Sequence, residues 1–442
     1  VSTSYLLEKA LVGDRVEDDV VVTVEDGRFV DVLPRHTGDG DARPIRLAGL
    51  SLPGLANCHS HAFHRALRGH TQGSHTRGGL GSFWTWREQM YAVAERLTPE
   101  TYYELARATY REMLAAGITA VGEFHYLHHQ PDGTAYADPN EMGHALIAAA
   151  RDAGIRIALL DTCYLASGIG KEPEGVQVRY SDGDADRWAE RVDALKGDDS
   201  TVIGAAIHSV RAVPKDQIPT VSHQARGKPL HVHLSEQVAE NEQCLAAHGC
   251  TPTELLEGAG ALGEMTSAVH ATHLTDHDLA LLGGSQARAC FCPTTERDLG
   301  DGVGPARALA DHGARLTLGS DSHAVIDPFE EMRAVELDER LATQKRGHWT
   351  AIDLLHAATH EGHASLGFPD AGRIAVGQRA DLVTLDLTSP RTAGTGAGPE
   401  TAVFAAVAED VRSVMVDGVL HETAATRHEI GHELQAAIEG VR

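Results

Sequence analysis

His59 and His61, in Asn57-Cys58-His59-Ser60-His61, stand at the end of an apolar run that begins at Leu52. On an extended strand, residues two apart project to one face, about 6 to 7 Å apart, so both imidazoles can reach one cation. Such a pair is common by chance, and in isolation it reads equally well as two hydrogen-bonded or surface histidines. Its position after an apolar strand tips the balance toward a metal. Pro229-Leu230-His231-Val232-His233-Leu234-Ser235-Glu236 is a second apolar strand ending in histidine, with a carboxylate three residues beyond His233. Alternation puts His231 on the same face as His233, so the motif alone leaves open which of the two binds. Val269-His270-Ala271-Thr272-His273 and Leu318-Gly319-Ser320-Asp321-Ser322-His323 complete the series, the latter delivering a carboxylate.

These clusters end strand-like runs that alternate with helical patterns: Leu52–Cys58, Ala120–Phe124, Ile155–Leu160, Val202–Ile207, Leu230–Leu234, Ala268–Val269, Ala287–Phe291 and Leu316–Leu318. Eight such runs suit a (β/α)8 TIM-like barrel, an α/β fold whose catalytic groups sit at the carboxyl ends of the strands. The segment from Thr98 to Ala116 is a predicted intervening helix, with Pro99 near its start and Gly117 just past its end. Ahead of the barrel, Val20–Val24 and Arg28–Leu33 flank the turn Glu25-Asp26-Gly27, a hairpin pattern. Arg373–Leu385 and Val411–Val419 have the same turn-punctuated texture, separated in part by the small-residue loop Gly394–Pro399. The expectation is a discontinuous β-sandwich domain from 1–51 and 372–442, around a barrel domain spanning 52–371. No repeat of fixed period is present.

Composition narrows the function. With 38 basic against 63 acidic side chains, the net charge of −25 argues against a nucleic-acid surface and against anionic lipid. No apolar run approaches the roughly 18 residues of a membrane span. The six cysteines form no CxxC pair and several sit in apolar runs, which reads as buried thiols. Val1–Gly13 carries little positive charge and no small-residue cleavage pattern, so a cytoplasmic protein is expected.

HxH after the first barrel strand, histidine with HxxE at the fifth, histidine at the sixth and Ser-Asp-Ser at the eighth resemble the amidohydrolase superfamily across the whole chain. Within it, Leu55–Phe63, Phe83–Glu88, Glu123–Tyr126, His208–Arg211 and His270–His273 resemble the formimidoylglutamate deiminases of histidine degradation. His64 departs from that family, where glutamine is expected. The resemblance implies His59, His61, His233 and Asp321 as metal ligands, Glu236 as proton shuttle and His270 as a second catalytic group. Three neutral imidazoles and one carboxylate suit zinc, with iron as the alternative. Relatives with two metals bridge them through a carboxylated lysine on strand four. Thr201–Val213 contains no lysine, so one divalent ion per chain is expected.

The reaction so implied is attack of a metal-activated water on the formimidoyl carbon of N-formimidoyl-L-glutamate. Asp321 and His270 orient the water, Glu236 carries a proton to the departing nitrogen, and N-formyl-L-glutamate and ammonia result. His64, Arg87, Tyr126, His208 and Arg211 are the expected substrate contacts; for Arg87 a solvated or interface role weighs equally. His231 and His273 are assigned structural roles, Phe83, Trp84 and Trp86 packing, and His125, His128 and His129 ordinary polar loop positions. A homodimer is expected by the same resemblance. The rival readings are an aminohydrolase acting on a purine, pterin or triazine ring, and a non-catalytic barrel scaffold; retention of Glu236 beside all four ligands speaks against the scaffold.

Overall fold

The computed structural model describes residues 2–34, 44–72 and 83–442. Four strands open the chain, β1 (Thr3–Val12), β2 (Arg15–Glu25), β3 (Arg28–Pro34) and β4 (Ile45–Pro53). Eight more follow: β5 (Leu55–Ser60), β6 (Ile118–His125), β7 (Arg156–Cys163), β8 (Thr201–Ile207), β9 (Leu230–Leu234), β10 (Thr266–His270), β11 (Arg288–Phe291) and β12 (Arg315–Leu318). They pair in sequential order as one parallel sheet. Helices cover its outer face, so β5, β6, β7, β9, β10 and β11 are buried from end to end.

The sheet nearly closes where β12 meets β5. The His59 carbonyl accepts the backbone N–H groups of Ser320, at 3.1 Å, and Asp321, at 2.9 Å, and His61 N–H donates to the Asp321 carbonyl at 3.2 Å. The seam therefore runs through the residues that the sequence marks as metal ligands. The predicted helix forms as Pro99–Ala115, where the Thr98 side chain and Thr101 cap each other's backbone N–H groups.

Three late strands, β13 (Leu382–Leu385), β14 (Val411–Val416) and β15 (Val419–Glu422), join the first four in a seven-stranded mixed sheet, in the order β15-β14-β13-β4-β1-β2-β3. Phe29, Val22, Leu7, Leu382 and Met415 pack one of its faces. β4 leads into β5 with only Gly54 between them, and a side chain there would collide with Thr119 and Asp381, so the two units are closely coupled. Arg156 at the start of β7 donates to both Asp381 oxygens and lies 3.1 Å from Asp417, tying the barrel's lower end to the sheet.

Two stretches depart from expectation. Only Leu382–Leu385 of the Arg373–Leu385 texture is a strand; the preceding residues turn at Gly377, whose φ is 85°, and meet β3 through single bonds to Phe29. Beyond the last strand-like run the chain forms a helix, Thr423–Val441, that sequence reasoning did not assign. Its Ile430 and Leu434 pack on Ala108 and Ala115 of the Pro99–Ala115 helix, while Glu433 pairs with Arg111. Among the described residues no helix is long and apolar enough to cross a membrane.

Candidate active site

Every site residue singled out in the sequence gathers around one cavity at the carboxyl ends of the barrel strands, with His59 fully buried beneath it. His61 Nδ1 donates to the Phe124 carbonyl at 2.9 Å, and His233 Nδ1 to the His208 carbonyl at 3.0 Å. Those bonds fix the tautomer, leaving each Nε2 with a lone pair. His233 Nε2 meets His59 Nε2 at 3.0 Å, and Asp321 Oδ1 lies 3.3 Å from Nε2 of both His59 and His61. Burial pushes the His59 imidazole down to about 3 and lowers His61 and His233 too, so all three are neutral. Lone pairs and a carboxylate converging without enough protons to share are what a divalent cation satisfies.

Two clusters of inward atoms overlap here. Those of His59, His233, His270 and Asp321 lie within 4.8 Å of one another, and so do those of His61, His64 and Asp321. His270 differs from the other imidazoles in its surroundings. Burial alone would lower it, but Glu236, Glu296 and Asp321 outweigh burial and hold it well above the usual histidine range. Its Nδ1 faces Glu296 Oε1 at 3.3 Å, and its Nε2 lies 3.9 Å from Glu236 and 3.8 Å from Asp321. Burial raises the Glu236 carboxyl, leaving it readier to hold a proton.

The backbone is forced at this rim. Ser235, His270, Ala271, Asp321 and His323 all take positive φ, between 41° and 68°, at about 1 kcal/mol or more each, which the surrounding bonds must offset. Glu123 holds the HxH turn from both sides, accepting from the Ser60 hydroxyl at 2.6 Å and from Ala62 N–H at 2.7 Å. Asn57 spans the seam to Ser320 with two bonds, 2.7 and 2.9 Å.

On the opposite wall, Arg211 donates through Nε to Glu240 at 2.8 Å, and the other Glu240 oxygen accepts Ser235 N–H at 2.9 Å. Arg87 lines the wall and lies over the Tyr91 ring. His64 Nε2 sits 3.0 Å from the Tyr126 hydroxyl, and Trp86 stands edge-on to His64, so this tryptophan both packs and lines the cavity. The Phe83 and Trp84 rings lie outside the described residues. His231 is buried below the cluster near the Ser365 carbonyl. His273 does not line the cavity; its carbonyl accepts from Asn241.

His125, His128 and His129 are not ordinary loop positions, because all three are buried. His128 donates to the Thr162 carbonyl at 2.9 Å, and His129 pairs with Asp182 at 3.0 Å. Arg191 binds Asp161 and Asp182 beside them, so a guanidinium already supplies the positive charge that these carboxylates need.

The family model described as the amidohydrolase family matches residues 50–420. The chain belongs to the amidohydrolase family. It is thereby a hydrolase acting on carbon–nitrogen bonds, in a metal-dependent family whose donor requirement the His/Asp cluster fits. This amidohydrolase is 39% identical over 408 residues to the formimidoylglutamate deiminase of Pseudomonas aeruginosa, covering 89% of this chain and 88% of the relative. It is 27% identical over 418 residues to a 5-methylthioadenosine/S-adenosylhomocysteine deaminase of Pelotomaculum thermopropionicum, covering 92% and 89%. The crystal structure of an amidohydrolase from Brucella melitensis superimposes with a TM-score of 0.90 at 32% identity, covering 99% of each chain.

Sequence reasoning missed Glu123, Glu240, Glu296, Asp301, Tyr91 and Tyr164 of this amidohydrolase. Glu240 follows Glu236 by four residues, and Glu296 stands in the first turn of the helix Pro293–Leu299, so both pass locally for helix-terminus carboxylates. Asp301 is buried near Glu236, and burial with that charge pushes it up to about 9.

Proposed function

We propose that this amidohydrolase deiminates N-formimidoyl-L-glutamate, giving N-formyl-L-glutamate and ammonia. The observation that carries the reading is one cavity joining a His/Asp metal cluster and a buried Glu236–His270 pair to a wall bearing Arg87 and Arg211. The 39% identity to a formimidoylglutamate deiminase supports it; the deaminases of nucleosides at 27% keep a ring substrate as the rival.

His59, His61, His233 and Asp321 would hold one divalent ion, zinc with iron as the alternative. The resemblance to formimidoylglutamate deiminase implies these four as the ligands; His270 instead faces Glu296 at 3.3 Å and Glu236 at 3.9 Å, and His64 Nε2 sits 3.0 Å from the Tyr126 hydroxyl. β8 and its loop, Thr201–Val213, hold no lysine to bridge a second ion. When bound, the ion supplies a Lewis acid and brings a coordinated water toward a pKa near 7.

Glu236 takes the proton from the attacking water and delivers it to the departing nitrogen, a task for which its raised pKa suits it. His270, its ring held by Glu296 at 3.3 Å, orients the attacking water together with Asp321. Arg211 and Arg87, with Tyr126, His208 and His64, bind the substrate's carboxylates and formimidoyl group. A homodimer in the cytoplasm belongs to the same reading, as does the division into a barrel at 52–371 and an end-built unit from 1–51 and 372–442.

The test is ammonia release, measured in parallel on N-formimidoyl-L-glutamate and on purine, pterin and triazine substrates. Turnover of N-formimidoyl-L-glutamate alone is the expected outcome, and turnover of a ring substrate alone overturns the assignment.

A further inference from the structure

Hydrogen-bond accounting on the arginine-bearing wall identifies a set of donors that the reaction scheme does not use. Gln177, in the turn Gly175–Tyr180, is buried, and its Oε1 accepts the Glu174 backbone N–H at 3.0 Å. That bond decides which end of the amide is oxygen. Nε2 then lies 2.9 Å from both the Tyr91 and the Tyr164 hydroxyls. An amide nitrogen only donates, so each phenol oxygen is an acceptor toward Gln177 and cannot send its own proton there.

Among the described residues, no carbonyl or carboxylate accepts from either hydroxyl, and the other oxygen within reach is that of the neighbouring tyrosine. One phenol can donate to the other, but the second proton must then point into the cavity that both rings line. The Tyr180 hydroxyl is buried on the same wall with no partner among the described residues. Arg211 and Arg87 line this region too, and among the described residues no carboxylate is hydrogen-bonded to any of the three phenols.

We propose that Gln177 orients the Tyr91 and Tyr164 hydroxyls into an anion subsite which, with Tyr180, Arg211 and Arg87, receives the substrate carboxylates remote from the reacting carbon. The inference rests on the dicarboxylate reading above. It makes Tyr91 and Tyr164 specificity-determining residues and Gln177 a positioning residue. A neutral amide at 177 accepts no proton from either phenol and so leaves at least one O–H for the ligand, whereas a carboxylate there would accept both protons and turn the donors away.

The experiment compares Tyr164→Phe, Tyr91→Phe and Gln177→Glu with the parent, reading KM and kcat for N-formimidoyl-L-glutamate, the Kd of N-formyl-L-glutamate by calorimetry, and turnover of carboxylate-free formamidine. Each phenylalanine variant should raise KM and Kd about 10-fold, the worth of one hydrogen bond to a charged group, with a much smaller change in kcat. Gln177→Glu should raise both by about 10²-fold, since the phenol protons are drawn onto residue 177 and a negative charge is added. Formamidine turnover should change far less in all three. A parent that binds and turns over the dicarboxylate, with all three variants matching its KM and Kd, overturns the subsite alone. A parent with no activity on N-formimidoyl-L-glutamate overturns the substrate reading and the subsite with it.

Discussion

Replacing Arg211 with methionine tests the carboxylate assignment, but the structure changes how the result must be read. Arg211 is 16% exposed and Glu240 fully buried, and their 2.8 Å bond makes them a largely desolvated charge pair. Truncating one partner of such a pair costs about 2 to 5 kcal/mol, roughly 30-fold to several thousand-fold in an equilibrium or in kcat/KM. Part of that cost belongs to Glu240, left buried with one oxygen on Ser235 N–H and the other stripped. Because Ser235 leads into Glu236, disorder at Glu240 would reach the proton shuttle as well. The double variant Arg211→Met/Glu240→Gln removes the stranded charge. Arg211→Met should lower kcat/KM for N-formimidoyl-L-glutamate by about 10²-fold or more and lower Tm, with ion content unchanged. Arg211→Lys should not restore it, since an ammonium cannot reproduce the guanidinium fork. The double variant should recover Tm but not kcat/KM. Steady-state ammonia release and thermal melts measure both. If the double variant regains parental kcat/KM, the loss came from Glu240 and Arg211 does not bind substrate; if Arg87→Met is also unaffected, a neutral ring becomes the better substrate.

Glu236→Gln should keep its ion and lose about 10²-fold or more in kcat, and near-parental turnover would remove Glu236 from the proton path. Elemental analysis should approach one divalent ion per chain, with chelation abolishing activity and zinc or iron restoring it; two ions at full occupancy would contradict the ligand count. Acid should destabilise the fold through His363, whose burial pushes it down to about 4 while it donates to the Gly54 carbonyl. The unfolded chain takes up this proton first, near 6.5. The contribution, about 3 kcal/mol, is therefore full above pH 6.5 and lost as pH falls toward 4. A Tm–pH profile of His363→Gln that parallels the parent's across that window would show that His363 is not responsible.

Local pattern was enough to expose the eight barrel strands and the polar residues at their ends, because a buried parallel strand needs a continuous apolar run and function interrupts it only at the carboxyl end. His59, His61, Glu236 and Asp321 were legible for that reason. The terminal helix carries Ile430, Leu434, Ala437 and Val441 at helical spacing, a signal that sequence reasoning did not use. His125, His128 and His129 looked like loop residues because polarity hides burial when the partners, Asp161, Asp182 and Arg191, are distant in sequence. Tertiary structure alone decided the rest. The bonds joining His59 and His61 to the chain around Asp321 span some 260 positions, and Gln177 reaches Tyr91 across 86. Nothing in a segment's periodicity records which distant acceptor its hydroxyl or amide will meet. The sequence marks which groups can do chemistry, whereas the direction each donor points is set by closure of the barrel around them.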